Sequence, residues 1–199
     1  IISKTLDTGY FVGVRVQEIK KFEKKISSFL GVKHVITVNS GTDAITLALH
    51  AAGITKDDEV ISVSNSYLAT TGAIVHLGAK PIFVDVLKNQ NIDPSKIEEK
   101  ITKKTKAILP VHLTGRSCEM DRIMKIAKKH KLLVIEDCAQ SFASKYKNKY
   151  CGTWGVLGCF SSHPLKNLSG LGDGGFITTN NTKIAKYLYR TRNHGLKNR

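Results

Sequence analysis

The chain is organised around Cys159-Phe-Ser-Ser-His-Pro-Leu-Lys166-Asn-Leu-Ser-Gly-Leu-Gly-Asp-Gly-Gly175, a stretch that joins two apolar runs. The first run spans 156–160 and the second 176–179, and each predicts a short buried strand. The loop between them is rich in Ser and Gly and contains one lysine, Lys166, with no Asp, Glu, Lys or Arg within five positions on either side. The stretch therefore predicts two strands joined by a loop that presents a single amine.

Lys166 carries the first functional hypothesis. A lysine among small, uncharged residues can lose hydration, and a desolvated amine is a better nucleophile. Such an amine can form an imine with a carbonyl compound, so Lys166 is a candidate for covalent catalysis. The alternative, from this loop alone, is a lysine that points into water and has no catalytic role.

Length and composition narrow the class of protein. The chain has 199 residues, of which 41% are hydrophobic, and this suffices for one domain with a buried core. Because it has no apolar run as long as a membrane span and no signal-peptide layout, we expect a cytoplasmic protein that does not contact a membrane.

The formal charge of +15 is compatible with nucleic acid, an anionic membrane or an anionic substrate such as a nucleotide. The basic residues are spread among Asp and Glu, and aromatic residues do not interleave them as they do in single-strand binders. We interpret the charge as solvated surface with a bias toward anionic small ligands, and we expect no nucleic-acid partner. A basic nucleic-acid-binding or purely structural domain is the alternative from another class, but it does not explain the lysine loop.

Four cysteines occur without a CxxC pair and without histidines at zinc-finger spacing: Cys118, Cys138, Cys151 and Cys159. This pattern indicates reduced thiols in a cytoplasmic protein. We therefore expect no structural metal.

Helical and strand patterns alternate along the rest of the chain. The sequence predicts helices over 15–30, 42–52, 67–77, 119–129 and 182–193, a short helix capped by Asp93 with Pro94 at its first position, and strands over 34–38, 59–63, 81–86, 106–111 and 132–136. The apolar stripe of the first helix contains Val16, Ile19, Phe22, Ile26 and Phe29. Continuous apolar strands that alternate with helices are typical of an α/β fold, in which helices sandwich a mostly parallel sheet.

In open α/β sheets, ligands bind beyond the carboxyl ends of the strands. Ser40-Gly41-Thr42 lies between a predicted strand and a predicted helix, where free backbone N–H groups bind phosphate and glycine allows close approach. The alternative is plain capping of the helix by Ser40. A carboxylate at Asp43 would repel a phosphate, so a phosphate site requires Asp43 to point away.

Three more side chains fall on predicted strand or helix ends. Asp137 follows the apolar run 134–135 and can pair with a protonated ring nitrogen, whereas Gln140 can hydrogen-bond a ring hydroxyl or phenolate. Tyr67 begins a predicted helix and can stack on a flat ring. Taken singly, these residues could also be a capping Asp, a surface Gln and an aromatic filler.

The combination is more informative than its parts. A phosphate-binding turn, a strand-end carboxylate, a stacking aromatic and a desolvated lysine are the groups that pyridoxal phosphate (PLP) requires. The turn would anchor the phosphate, Lys166 would bind the aldehyde carbon, and Asp137 would keep the ring nitrogen protonated. The residues therefore predict a PLP enzyme.

The same motifs resemble the DegT/DnrJ/EryC1/StrS family of sugar aminotransferases, a branch of the fold-type I PLP enzymes. The similarity covers nearly the whole chain, from Asp7-Thr-Gly-Tyr10 to Arg192-Asn-His-Gly195. Between these ends lie Asn39-Ser-Gly-Thr-Asp-Ala44, Ile135-Glu-Asp-Cys-Ala-Gln140 and the lysine loop.

The resemblance implies a role for each candidate residue. Lys166 corresponds to the Schiff-base lysine of the family's His-Pro-x-Lys-Asn motif, and His163 to a frequent histidine near that lysine. Asp137 corresponds to the partner of the pyridinium nitrogen. The other matches are cofactor-binding positions: Gly41 and Thr42 in the phosphate turn, Ser161 as a second phosphate ligand, Tyr67 as the stacking aromatic, and Gln140 near the ring oxygen.

The resemblance also implies an activity, which is transfer of an amino group from L-glutamate to a nucleotide-linked 3-keto or 4-keto sugar. Such amino sugars serve glycan biosynthesis, including lipopolysaccharide, and the implied enzyme is a cytoplasmic homodimer with its sites at the subunit interface. Family dehydratases carry His where Lys166 stands. Dehydration or elimination on the same PLP scaffold is therefore the alternative reaction.

Two departures from the family pattern have consequences. Ser162 stands where Phe is frequent, and we expect looser packing near the cofactor. Family chains continue into a smaller C-terminal domain, so we expect residues 1–199 to be the PLP-binding large domain of a longer protein.

Overall fold

A computed structural model describes residues 3, 7 and 17–196 of the chain. The predicted helix start at 15–16, the motif residues 8–10 and the basic end 197–199 lie outside the described residues. Within them, helices cover both faces of a mostly parallel sheet, and the predicted α/β fold class is confirmed.

Each helix and strand expected from the sequence is present in the described part of the chain, with bounds that differ by three residues at most. The helices are α1 (Gln17–Leu30), α2 (Gly41–Ala51), α3 (Leu68–His76), α4 (Met120–His130) and α5 (Thr182–Thr191). The strands are β1 (His34–Val38), β2 (Glu59–Ser62), β3 (Lys80–Phe83), β4 (Thr105–Ile108), β5 (Leu133–Asp137), β6 (Lys145–Tyr146), β7 (Lys149–Tyr150), β8 (Leu157–Ser161) and β9 (Gly175–Thr179). Three short 3-10 turns span Pro94–Lys96, Glu98–Lys100 and Leu113–Gly115.

Seven strands form one sheet in the order β1-β9-β8-β5-β4-β2-β3. β9 runs antiparallel to both of its neighbours, and every pair from β8 to β3 is parallel. Six strands therefore point the same way and end at one edge of the sheet. β5 and β8 are adjacent, with Asp137 opposite Cys159, so the carboxylate and the lysine loop emerge side by side.

Successive residues of each strand face opposite sides of the sheet. In β8, Leu157 and Cys159 pack into a core with residues of α2, α3 and α5, whereas Phe160 packs with residues of α1. A further core lies beneath α4 and contains Val134 of β5. Because both faces are covered, the middle of most strands is apolar, as the runs in the sequence indicated, whereas polar residues such as Glu59, Lys106 and Asp137 lie nearer the strand ends.

The first helix packs differently from its predicted stripe. Phe29 is 48% exposed, whereas Glu23 is buried. Glu23 accepts hydrogen bonds from the Thr37 N–H and hydroxyl, at 3.0 and 2.9 Å, and pairs with Arg192. A buried charge needs such partners, and they come from β1 and from the residue after α5, which local periodicity cannot reveal.

The hairpin of β6 and β7 was not predicted. Its turn residues Lys147 and Asn148 have φ of 44° and 64°, as a two-residue type I′ turn requires. The usual sequence signal for this turn is Asn-Gly or Asp-Gly, and Lys-Asn lacks it.

None of the helices within residues 17–196 combines the length and apolar character needed to cross a lipid bilayer. All four cysteines lie in this range, and each is buried and free of a disulfide. Burial raises the pKa of the Cys138 and Cys159 thiols well above the ordinary value. Such thiols are neutral and unreactive.

Candidate active site

A cavity of about 450 Å³ lies at the carboxyl ends of the parallel strands. Its walls are the N-terminus of α2, the start of α3, the end of β5 and the loop after β8. All eight residues that the sequence singled out line this cavity: Gly41, Thr42, Tyr67, Asp137, Gln140, Ser161, His163 and Lys166. The amine and the carboxylate of the hypothesis therefore share one enclosure.

The N-terminus of α2 opens into the cavity. Ser40 caps the helix, because its hydroxyl accepts from the Asp43 N–H and its carbonyl from the Ala44 N–H, both at 3.0 Å. The N–H groups of Gly41 and Thr42 have no hydrogen-bond partner among the described residues. Capping by Ser40 thus leaves two donors for an anion at the positive end of the helix dipole.

Ser161, at the end of β8, adds a hydroxyl to these donors. Its oxygen accepts from the His163 N–H at 3.3 Å, so its own hydrogen is free to donate to a ligand. Thr42 also lines the cavity, but Asp43 does not. A phosphate site at this turn requires Asp43 to point away from the phosphate, and the absence of Asp43 from the cavity wall is consistent with this requirement.

Gly41 packs directly on Ser161. A Cβ at Gly41 would lie 2.7 Å from Ser161 Cβ and 3.2 Å from its Oγ. Glycine at this position lets the helix N-terminus approach the end of β8, and this brings the backbone and hydroxyl donors together.

We expect Gly41→Ala to weaken PLP binding by about tenfold or more, because overpacking of this kind costs roughly 1–3 kcal/mol and displaces the anion donors. Fluorescence titration of the purified protein with PLP measures the change. Gly72→Ala is the matched control, since nothing lies within 4 Å of a Cβ at Gly72 in α3. Equal affinities for Gly41→Ala and the wild type would contradict the close contact.

Asp137 is 3% exposed and is held by two donors. Its Oδ1 accepts from the Ala139 N–H at 3.1 Å, and its Oδ2 accepts from the Thr70 hydroxyl at 2.7 Å. Burial raises the pKa of Asp137, while these hydrogen bonds and the Lys166 ammonium act in the opposite direction. Each carboxylate oxygen keeps a further lone pair, which can accept from a protonated ring nitrogen.

Thr70 and Ser66 were missed by sequence reasoning. The Thr70 hydroxyl gives its hydrogen to Asp137, so the Ser66 hydroxyl, 2.8 Å away, must donate to Thr70. This chain of hydroxyls orients the carboxylate from the side of α3. No local signal marks it, since Thr70 and Asp137 are 67 positions apart.

Gln140 presents a donor to the cavity. Its Oε1 accepts from the Thr114 N–H at 2.8 Å, and this backbone donor fixes the orientation of the carboxamide. The Nε2 group is therefore the part left for a ligand, and it suits a ring oxygen. Thr114 has φ 54° and ψ 27°, a left-handed conformation that costs a branched residue roughly 1–3 kcal/mol.

Lys166 is partly buried, and the loop that carries it is tied to the Gln140 loop. The Lys166 N–H donates to the His163 carbonyl at 2.8 Å. The next residue, Asn167, donates from Nδ2 to the Phe142 carbonyl at 2.7 Å. These bonds hold the lysine at the edge of the cavity.

Ser162 lies within a closely packed part of the lysine loop, and the expected looser packing near the cofactor stays a prediction. Its N–H donates to the Gly174 carbonyl and its carbonyl accepts from the Gly170 N–H, both at 2.8 Å. A Cβ at Gly174 would lie 2.5 Å from Ser162 Oγ, so the loop closes tightly over this serine.

His163 faces an acidic residue that sequence reasoning missed. Its Nδ1 accepts from the Leu165 N–H at 3.1 Å, so the ring hydrogen lies on Nε2 in the neutral form. Nε2 is 3.9 Å from Oδ1 of Asp173, which also lines the cavity. When His163 is protonated, Asp173 forms an ion pair with it and limits its orientation.

Among the described residues, His112, Glu136 and Cys138 lie close enough together to hold a metal ion, but the ring nitrogens of His112 and the carboxylate of Glu136 already make hydrogen bonds within the protein. His112 Nδ1 accepts from the Cys118 N–H at 3.0 Å, and its Nε2 lies 3.0 Å from Glu136. Glu136 also accepts three backbone N–H groups from 152–155, at 2.7 to 2.8 Å. His112 and Glu136 thus belong to a buried hydrogen-bond network that fixes residues 152–155 to β5.

The donor set of the cavity fits PLP. The α2 N-terminus suits a phosphate, the Asp137 carboxylate a protonated ring nitrogen, the Gln140 amide a ring oxygen and the Lys166 amine an aldehyde. Tyr67 is 74% exposed at the rim and can cover the ring face. The volume lies within the roughly 300–1,000 Å³ of small-molecule sites.

Comparisons with known proteins agree with this geometry. The family model of the DegT/DnrJ/EryC1/StrS aminotransferase family matches residues 2–199. The dTDP-3-amino-3,6-dideoxy-alpha-D-galactopyranose transaminase of Aneurinibacillus thermoaerophilus is 47% identical over 98% of this chain and 53% of its own length. The chain spans about half the length of the curated relatives it matches.

Solved structures give the same result. The X-ray structure of S. venezuelae DesV in complex with a ketimine intermediate has a TM-score of 0.94 and 36% identity, and the match covers 100% of this chain and 53% of DesV. A GDP-4-keto-6-deoxymannose-3-dehydratase with a trapped PLP-glutamate geminal diamine has a TM-score of 0.91 and 32% identity, over 98% of this chain and 51% of its own. The chain therefore belongs to the DegT/DnrJ/EryC1/StrS aminotransferase family.

Proposed function

We propose that the protein containing this chain is a PLP-dependent aminotransferase that moves an amino group from L-glutamate to a keto carbon of a nucleotide-linked sugar. The observation that supports this most strongly is the single cavity lined by Lys166, Asp137 and the N-terminus of α2. Relatives that carry the names of a dTDP-aminosugar transaminase and a GDP-perosamine synthase favour the same substrate class.

The proposal assigns residues 1–199 to the PLP-binding large domain. The unmatched half of the relatives would then contain the smaller C-terminal domain. We further propose a cytoplasmic location and a role in glycan synthesis, such as that of lipopolysaccharide, which a nucleotide-sugar substrate would suit. The net charge of +15 favours such anionic substrates.

Each of these cavity residues would have its own role in the reaction. When bound, PLP supplies an aldehyde that exchanges amines and a ring that withdraws electrons. Lys166 Nζ would hold the cofactor at its aldehyde carbon, and the same amine would serve as the base that moves the proton at the α-carbon of the amino donor. Asp137 keeps the ring nitrogen protonated, and the Thr70 hydroxyl keeps Asp137 in place. His163, whose ring nitrogen lies 3.9 Å from Asp173, would serve as a further polar group beside the cofactor.

A labelling experiment tests the proposed function. The full-length protein is incubated with PLP, nitrogen-labelled L-glutamate and dTDP-, UDP- or GDP-linked 3-keto and 4-keto sugars. We expect labelled nitrogen in the sugar, an equal amount of 2-oxoglutarate, and ping-pong kinetics. A sugar that loses water and gains no label would favour the dehydratase alternative, and no reaction with any keto sugar would contradict the proposed substrate class.

We also propose that the full protein is a homodimer whose interface covers the cavity. Three large side chains at or near the rim are strongly exposed: Tyr67 at 74%, Leu165 at 88% and Leu171 at 91%. Exposed apolar residues of this size around a polar cavity are typical of a surface that another protein covers.

We expect Leu165→Asp, combined with Leu171→Asp, to convert the dimer to a monomer and to reduce transaminase activity. The physical reason is that two carboxylates would be buried without partners in the interface. Sedimentation velocity measures the assembly state, and the matched control is Leu165→Met with Leu171→Met, which keeps the apolar surface. A dimer that persists in the Asp variant at micromolar concentration would contradict this interface.

A further inference from the structure

The turn Leu113–Gly115 brings backbone strain next to the cavity. Thr114 and Gly115 both lie in the left-handed region, with φ of 54° and 79°. Glycine adopts this region freely, whereas threonine, with its branched Cβ, does so rarely. Because Gln140 Oε1 accepts from the Thr114 N–H, the strained residue determines which way the Gln140 carboxamide faces.

Asn91 bridges the two ends of this turn. It is 1% exposed and does not line the cavity. Its Oδ1 accepts a hydrogen bond from the Leu113 N–H at 3.1 Å, and its Nδ2 donates to the Arg116 carbonyl at 3.0 Å. The Leu113 N–H also lies 3.0 Å from the Val111 carbonyl. One carboxamide therefore fixes the residues before and after the strained pair.

Further contacts make the bridge rigid. The Asn91 N–H donates to Asn89 Oδ1 at 3.0 Å, and the Asn91 carbonyl accepts from the Leu87 N–H at 2.9 Å. The Ser144 hydroxyl donates to the Gly115 carbonyl at 2.7 Å. A strained residue persists only when its surroundings determine its conformation, and these contacts do so for Thr114.

We propose that Asn91 is a positioning residue for the cofactor ring. By bridging the turn, it holds Thr114 in the left-handed conformation and thereby aims the Gln140 amide N–H into the cavity, toward the ring oxygen of PLP. The proposal rests on the proposed function, because that function supplies the ligand. Asn91 does not line the cavity, so it would act on the cofactor through Thr114 and Gln140.

The test is a PLP titration of the full-length protein, with the absorbance of the bound cofactor recorded across pH. We expect Asn91→Ala to weaken PLP binding about tenfold, the effect of one hydrogen bond to a charged oxygen. It should also shift the pH at which the absorbance changes in the same direction as Gln140→Leu does. In the double variant the two effects should not add, because both changes remove the same donor.

A second arm tests the role of the strain. Thr114→Gly in the Asn91→Ala background should recover part of the lost affinity, because glycine adopts the left-handed conformation without support. Asn181→Ala is the matched control, since its carboxamide also makes two hydrogen bonds, to the Lys183 and Ile184 N–H groups in the cap of α5. It should lower the thermal midpoint and leave PLP affinity and absorbance unchanged.

The outcomes separate this proposal from the proposed function. Full additivity of Asn91→Ala and Gln140→Leu, or a loss of stability with unchanged cofactor absorbance, would overturn the positioning role. A wild-type protein that binds PLP and shows the expected variant effects, but aminates no keto sugar, would refute the proposed function and support the positioning role. A wild-type protein that does not bind PLP would overturn both.

Discussion

Lys166→Ala is expected to abolish the long-wavelength absorbance of lysine-bound PLP and to reduce transaminase turnover by about 10³-fold or more. Proton transfer by a positioned side chain alone contributes typically 10²–10⁴-fold, and in the proposed function Lys166 would also provide the covalent attachment. Absorbance spectroscopy of the purified protein and single-turnover kinetics measure the two losses separately. The phosphate donors and Asp137 remain, so PLP should still bind, with lower affinity.

Two comparisons make this result specific to the amine. Lys149→Ala is the matched control, because Lys149 is exposed and lies over the Trp154 ring, 4.7 Å from its centroid. It should leave absorbance and turnover unchanged. A small primary amine added to Lys166→Ala should restore part of the proton transfer, since it can enter the space that Nζ leaves. A long-wavelength band retained in Lys166→Ala would show that another residue holds the cofactor.

The sequence predicted the seven strands of the main sheet because most of them contain a short apolar run, and it predicted the cavity residues because they follow strands whose ends meet at one edge. Asp137 and the lysine loop illustrate this, since β5 and β8 pair directly. Their chemical roles stay predictions.

The supporting residues could not be predicted in the same way. Thr70, Asp173 and Asn91 occupy segments whose local patterns indicate an ordinary helix, a glycine loop and a polar turn. Each acquires its importance from a contact with a distant segment, as in the 25 positions that separate Asn91 from Arg116. Thr114 shows the limit most clearly, because threonine disfavours the conformation that its surroundings impose.

The substitution Asp137→Asn has the second-largest expected effect, because it should lower activity without lowering the stability of the cofactor-free protein. Asparagine keeps the shape of the side chain and can still accept from the Thr70 hydroxyl, but it carries no charge to hold a proton on the ring nitrogen. We expect kcat/KM to fall by about 10²–10³-fold, the usual loss when one electrostatic stabiliser is removed. Stopped-flow absorbance with L-glutamate alone measures the half-reaction in which the ring must withdraw electrons.

Although Asp137→Asn should lower kcat/KM, it should leave the stability of the cofactor-free protein unchanged or increase it. Burial raises the pKa of Asp137 above its ordinary value of 3.8, so the folded state binds a proton more tightly than the unfolded state does. This stabilising contribution is complete below 3.8 and is lost as the pH rises through the raised folded-state pKa. Asparagine does not titrate, so the cofactor-free Asp137→Asn variant should lack this loss of stability with rising pH, and at neutral pH it should unfold at the same urea concentration as the wild type or at a higher one.

Thr70→Val provides the graded comparison for the same carboxylate. It keeps the volume of the side chain and removes the hydroxyl that donates to Asp137 at 2.7 Å. Because one hydrogen bond to a charged group contributes about 1.5–3 kcal/mol, we expect a loss in kcat/KM of roughly tenfold to a hundredfold, less than that of Asp137→Asn. If Asp137→Asn matched the wild type in the L-glutamate half-reaction while Thr70→Val did not, the ring nitrogen would have a different partner from the one this cavity provides.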